Sequence, residues 1–411
     1  MSRDCHQDLL AMMHAGLGAV HGRGRVAQWL QEAGLPGPVW AIAIGKAAAA
    51  MAVGAQDVLG GRLQRGLLIT KSGHLTGYDA GLNGFCCYES GHPLPDARSL
   101  TAGKKLLAFL QEAPAAGRLL FLVSGGASSL VEVLPEEMGL EDLQRANAWL
   151  LSSGLSIQVI NEIRKRLSCI KGGRLIPYLE GRRTVVLMIS DVIGDQAASI
   201  GSGLLAPDAG VPDLPVDLPG WLQECIDEAP LPALAKDSRL NSVTSVVIAC
   251  LEDAQQAACD CARGLGYKVR LASGYLHGEA QQTGRELAWE LLQGPTGIRV
   301  WGGETTVHLP DNPGRGGRNQ SLALAAALEL SGQQGVWLMS IGTDGTDGPT
   351  EDAGALVDGD TISRGRAKSF DPVRCLASAD AGSFLEASGD LIRTGPTGTN
   401  VMDLVIGLKQ S

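Results

Sequence analysis

Short apolar runs alternate with helix-like runs from one end of this chain to the other, and that alternation limits the fold more than any other feature. Strand-like runs occupy 39–44, 66–70, 118–123, 184–189, 243–249, 268–272, 298–301, 336–341 and 401–408. Helical segments such as 47–58, 99–111, 252–265, 279–292 and 321–330 lie between them. A strand–helix alternation favours α/β folds with largely parallel sheets and helices on both faces. At 411 residues the chain is too long for one ordinary core, so two α/β domains are expected. Pro212, Pro215, Pro219, Pro230 and Pro232 interrupt regular structure, which places the boundary near Lys236, between domains 1–236 and 237–411.

Two junctions in this pattern break a local rule. Trp40-Ala-Ile-Ala-Ile44 reads as a buried strand, Gly45 as a tight turn, and Lys46 opens the following helix. Gly314-Arg-Gly-Gly-Arg318-Asn319-Gln320 likewise runs into an alanine- and leucine-rich helix. A helix start carries positive partial charge and free N–H groups, so a cation there is disfavoured unless it serves a site. In open α/β sheets, ligands collect at the carboxyl ends of strands and at the helix starts that follow. Glycines let the backbone approach a ligand, and Arg318 adds a bidentate fork, which together point to phosphate or carboxylate. If both cations face developing charge, Lys46→Ala and Arg318→Ala should lose turnover while the melting temperature stays level or rises slightly.

Other segments add polar groups at strand ends. Ser124-Gly125-Gly126-Ala127-Ser128-Ser129 follows an apolar strand and is suited to an anion nest with hydroxyl donors. Asp191 closes a strand, Glu304 follows Trp301-Gly-Gly, and Asp344 and Asp347 lie in Gly-Thr-Asp-Gly-Thr-Asp-Gly. Such carboxylates can hold Mg²⁺ on a nucleotide or accept a hydroxyl proton, and the metal candidates are Asp191 and Asp344. Asn161, Arg164 and Lys165 share one face of a basic helix, and Thr397 and Thr399 lie in a hydroxyl-rich loop before the last strand. No Walker A spacing occurs, since Ala47 follows Gly45-Lys46, and no dinucleotide G-x-G-x-x-G follows a strand.

The balance of 34 basic against 44 acidic residues gives a net charge of −10 without a long basic run, which argues against nucleic acid as a partner. Nine cysteines without C-x-x-C spacing read as reduced thiols packed in the fold. No apolar run is long enough to span a membrane and no signal pattern opens the chain, so a soluble, cytoplasmic protein is expected.

In this order, these segments resemble the glycerate 2-kinases of bacteria, archaea and animals, some of which carry the label hydroxypyruvate reductase. The matching blocks are Ala43-Ile-Gly-Lys46-Ala, Ser90-Gly-His-Pro-Leu-Pro-Asp96, Ser124-Gly-Gly-Ala-Ser128, Asn161-Glu-Ile-Arg-Lys165, Ile170-Lys-Gly-Gly-Arg174, Ser190-Asp191-Val-Ile-Gly-Asp195, Gly302-Gly-Glu304, the 314–320 run, Gly342-Thr-Asp-Gly-Thr-Asp-Gly-Pro349 and Thr394-Gly-Pro-Thr-Gly-Thr-Asn400. The resemblance implies a Rossmann-like N-terminal domain and a second α/β domain with the active site in the cleft. It also implies ATP and Mg²⁺ as cofactors and Lys46, Asp191 and Arg318 as active-site groups. D-glycerate and a nucleotide become the small-molecule partners, and a homodimer is the oligomeric option. Ser124, Gly125, Gly126, Ser128, Asn161, Arg164, Lys165, Glu304, Asn319, Thr397 and Thr399 become the substrate- and phosphate-binding candidates. Ile193, Gln196, Leu204-Leu205, Ala127 and Met402 depart from the family pattern without removing a charged candidate. Two other readings remain at this stage: an NAD(P)H-dependent hydroxypyruvate reductase, and a non-catalytic sugar-acid-binding protein.

Overall fold

Each of the two sheets follows from a different kind of strand. In the computed structural model, which describes residues 4–78, 81–155, 157–207, 217–230 and 238–410, β1 (Val39–Ile44), β2 (Leu63–Lys71), β3 (Phe85–Ser90), β4 (Arg118–Val123), β5 (Thr184–Ile189) and β6 (Val243–Ala249) form one sheet in the order β3-β2-β1-β4-β5-β6. The pairs β3–β2, β2–β1, β1–β4 and β4–β5 are parallel. β1 is buried along its whole length and β4 nearly so, as expected for strands covered by helices on both faces. The order reverses between β1 and β4, where Ile44 lies beside Val123. That junction is the topological switch point of a doubly wound sheet, where ligands bind.

The second sheet has the order β11-β10-β9-β12-β8-β7, from β7 (Val269–Leu271), β8 (Gly297–Gly303), β9 (Val336–Gly342), β10 (Gly354–Asp358), β11 (Leu391–Ile392) and β12 (Asp403–Lys409). Here the expectation of a largely parallel sheet fails. Only β7–β8 is parallel, while β8–β12, β12–β9, β9–β10 and β10–β11 are antiparallel. Periodicity reports burial and not strand direction, and the last strand inserts between β8 and β9 instead of adding to an edge. β3, β10 and β11 were also outside the sequence expectation, each being short or carrying polar residues.

The chain divides into two compact units, Gly22–Ile248 and Met1–His21 with Ala249–Ser411. The boundary expected near Lys236 lies outside the described residues, as do Pro212, Pro215 and Pro232. A single cut does not describe the units. The helix Cys5–Ala19 buries Leu9, Met12 and Met13 with Ala258, Cys259 and Leu404 of the second unit, and Gly16 admits the carbonyl of Ala254. All nine cysteines are free thiols, but Cys86 and Cys87 are exposed on β3 rather than packed inside. Among the described residues no helix is long and apolar enough to cross a membrane.

Candidate active site

At the switch point the loops after β1 and β4 are stitched to each other. Lys46 N donates to Gly125 O at 2.9 Å, Ala47 N to Ser124 Oγ at 3.0 Å, and Ser124 N to Ile44 O at 3.0 Å. Gly45 has φ +130°, and a Cβ there would lie 2.2 Å from Ser124 Oγ, so only glycine fits. Ser124 and the Gly125 carbonyl therefore build the loop pair, and the Ser124 amide is engaged within the fold. Gly126 adopts the left-handed conformation, and its bare Cα faces the His92 ring and the Lys46 side chain. Lys46 thus passes directly over the loop that follows β4.

Below this loop lies a cavity of about 250 Å³. Of the sequence candidates, Gly126, Ser128, Asn161, Arg164 and Asp191 line it. Asn161 and Arg164 come from the helix Ile157–Arg166, and Asp191 from the end of β5. Ser202, held at φ +58°, donates to Ser128 Oγ at 2.7 Å and completes a hydroxyl wall. Arg164 Nε donates to Asn147 Oδ1 at 2.9 Å, and no partner for its two terminal nitrogens occurs among the described residues. Burial, with no counter-charge beside it, lowers the guanidinium pKa from its ordinary value. A half-buried cation with its fork turned to a cavity has the chemistry to hold an anion.

Lys165 does not join this wall; its Nζ pairs with Glu162 Oε1 at 2.7 Å. The cavity also holds groups that sequence reasoning did not assign: His92, Asn147, Glu132 and Lys171. Glu132 carried a readable signal, a lone charge within Leu130-Val-Glu-Val-Leu134. Asn147 carried none, because a polar residue in an amphipathic helix has no distinguishing pattern.

The 314–320 junction resolves differently. The helix begins at Arg318, and its first amides are occupied from within: Asn319 N donates to Asp347 Oδ1 at 3.0 Å and Gln320 N to Asp347 Oδ2 at 2.8 Å. The Arg318 fork grips Asp403 through Nε at 2.6 Å and Nη2 at 2.9 Å, and Nη1 pairs with Glu304 at 2.7 Å. Burial opposes the Arg318 charge, but Asp403 and then Glu304 outweigh it and raise the pKa. The glycines serve packing: a Cβ at Gly314 would strike Asp380 and one at Gly317 would strike Asp347. Asn319 is held by Ser340 at 2.6 Å. Asp347 is itself pushed up to about 7, by burial first, against the two amides.

Thr397 and Thr399 are also turned to the interior of this unit. Thr397 Oγ1 donates to Thr343 O, and Thr399 Oγ1 is buried with no partner among the described residues. Asp344 Oδ1 accepts from Thr346 N at 3.0 Å and Thr346 Oγ1 at 3.1 Å, an Asx turn. Among the described residues, neither Asp191 nor Asp344 belongs to a group of three His, Cys, Asp or Glu close enough to enclose a metal ion.

Two family models match the chain: a domain of unknown function, DUF4147, over residues 8–215, and the MOFRL family over 297–403. The chain is 38% identical over 378 residues to a D-glycerate 2-kinase of Thermotoga maritima, covering 89% of each. It is 34% identical to a glycerate 2-kinase of Pyrococcus horikoshii, covering 93% of this chain and 89% of the relative. The crystal structure of a glycerate kinase from Thermotoga maritima matches with a TM-score of 0.83 at 35% identity, covering 98% of this chain and 99% of that one.

Proposed function

The chain belongs to the glycerate 2-kinase family, and from that premise we propose that it transfers the γ-phosphoryl group of ATP to the 2-hydroxyl of D-glycerate, giving 2-phosphoglycerate. The observation that carries this reading is the unsatisfied end of Arg164, which faces a cavity at the sheet's switch point with Asp191 on its wall. A cavity of about 250 Å³ suits a three-carbon acid rather than a sugar phosphate or a dinucleotide.

Phosphoryl transfer needs positioning and charge neutralisation more than covalent chemistry. Arg164 takes the acceptor's carboxylate with its Nη fork, and Asn161 donates beside it. Asp191 accepts the hydrogen bond of the 2-hydroxyl and takes its proton as the oxygen attacks. Lys46, next to Gly126, neutralises charge on the phosphoryl oxygens. Arg318 is a further catalytic candidate, because Asp403 and Glu304 hold its guanidinium and leave N–H donors for an anion. The donor set fits Mg²⁺, which binds through one or two carboxylates plus substrate oxygens, and Asp191 with the neighbouring serine oxygens would hold it to shield phosphate charge.

The test is product identity. Purified protein with ATP, Mg²⁺ and D-glycerate should form a product that enolase consumes without phosphoglycerate mutase. A 3-phosphoglycerate product overturns the regiochemistry, and hydroxypyruvate-dependent NAD(P)H oxidation by the pure protein overturns the kinase reading.

A further inference from the structure

The acceptor cavity contains a charge pair that the reaction above does not use. Glu132 is 2% exposed and Lys171 3% exposed, yet both line the cavity. Lys171 Nζ donates to Glu132 Oε2, while Ser168 Oγ, at 2.5 Å, and Val133 N, at 3.1 Å, donate to Glu132 Oε1. The loop carrying Lys171 is tied down in turn, with Gly172 N on Ser202 O at 3.0 Å and Gly173 N on Gly203 O at 2.7 Å. A buried ion pair adds little to stability, since desolvation offsets its attraction, and two apolar side chains would fill the same space. The ammonium has three N–H donors, and Glu132 takes one.

Resting on the kinase reading, we propose that Lys171 is a second contact for the acceptor's carboxylate and that Glu132 limits the cavity to singly charged acids. The walls carry Arg164 and Lys171 against Glu132 and Asp191, so they are balanced before substrate enters. One carboxylate is met by the Arg164 fork and the Lys171 ammonium. A second carboxylate on the acceptor meets Glu132 and Asp191, and burial leaves that repulsion poorly screened.

The experiment compares D-glycerate with 2-hydroxymalonate, which replaces the hydroxymethyl group by a second carboxylate. Binding of both acids is measured by calorimetry without nucleotide. Glu132→Gln keeps an acceptor for Ser168 and Val133 and removes the charge. Because it also leaves the buried Lys171 ammonium without its counter-ion, its fold is first checked by thermal unfolding, and the paired variant below removes both charges. Glu132→Gln should tighten 2-hydroxymalonate relative to D-glycerate by roughly tenfold or more, with the KM for ATP unchanged. Lys171→Met alone strands Glu132 and is expected to unfold the protein, so the paired variant Glu132→Gln/Lys171→Met is used. It should weaken D-glycerate by roughly tenfold or more, again without change for ATP. Wild-type discrimination in Glu132→Gln, wild-type D-glycerate affinity in the paired variant, or a loss falling on ATP overturns the inference. If wild type binds D-glycerate but does not phosphorylate it, the kinase reading fails while these binding shifts still decide the roles of Glu132 and Lys171.

Discussion

Two glycine-and-cation helix starts look alike in the sequence and differ in where their polar groups end. After β1, the backbone of 45–47 is stitched to 124–125, and the free chemistry is passed to side chains around a cavity. At 314–320 the first amides, the edge of the Arg318 guanidinium that meets Asp403 and Glu304, and the space beside the glycines are taken by Asp347, Asp403, Glu304 and Asp380. A rule broken in the sequence therefore marks a place where something must compensate. Whether the compensation is a ligand or another part of the chain depends on tertiary partners more than eighty residues away, as Asp403 is from Arg318.

The sharpest way to break this comparison is to remove the two cations. Arg318→Ala leaves Asp403, 5% exposed, without its counter-ion, and should lower stability by about 3–5 kcal/mol. That reverses the sequence expectation of an unchanged or raised melting temperature. Thermal or urea unfolding checks it, and a variant as stable as wild type would show the pair contributes nothing to the fold.

Lys46→Ala should do the opposite. Loss of a preorganised charge on the phosphoryl group costs about 2.7–4 kcal/mol, or roughly 10²–10³ in kcat, while the half-buried side chain leaves the stitched backbone intact. Arg164→Ala should raise the KM for D-glycerate and spare that for ATP. Steady-state kinetics on folded variants decide both, and a normal kcat in Lys46→Ala removes it from the catalytic set.

The parallel half of the fold was legible because β1 and β4 are continuous apolar runs, and burial on both faces writes itself into composition. The mixed sheet was not, since nothing local records that β12 lies between β8 and β9. Among the residues that line the cavity, Arg164, Asn161 and Asp191 were singled out in the sequence by charge and strand-end position. Ser124 and Thr397 carried the same signals but are used inside the fold, because a hydroxyl that caps an amide looks no different in sequence from one that binds phosphate. Glu132 and Lys171 find each other across 39 residues, a pairing that no spacing rule reaches.

The Asp347 cap gives the comparison a pH signature. Its folded pKa, about 7, exceeds the ordinary 3.8, so the fold favours the protonated form. The group therefore contributes stability that is complete below about pH 4, is lost as pH rises to about 7, and is constant above. The slope cannot exceed about 1.4 kcal/mol per pH unit. Measured against Asp347→Asn, which does not titrate, the stability advantage of wild type should shrink across pH 4–7. A difference independent of pH would mean that the amides of Asn319 and Gln320 keep the carboxylate charged despite its burial.

The smallest effect separates adjacent residues on one helix. Lys165 carries the same charge as Arg164 and was grouped with it from the sequence, but its ammonium is spent on Glu162 at 2.7 Å and it does not line the cavity. Breaking an i,i+3 pair of this kind costs at most about 1 kcal/mol. Lys165→Ala should therefore lower stability slightly and leave kcat and both KM values within about twofold of wild type, a change near 0.4 kcal/mol. Glu162→Gln should match it in stability and also leave D-glycerate binding alone. If Lys165→Ala instead raised the KM for D-glycerate as Arg164→Ala is expected to, the acceptor's carboxylate would have to reach beyond the cavity wall. The assignment of the Arg164 fork as its seat would then fall.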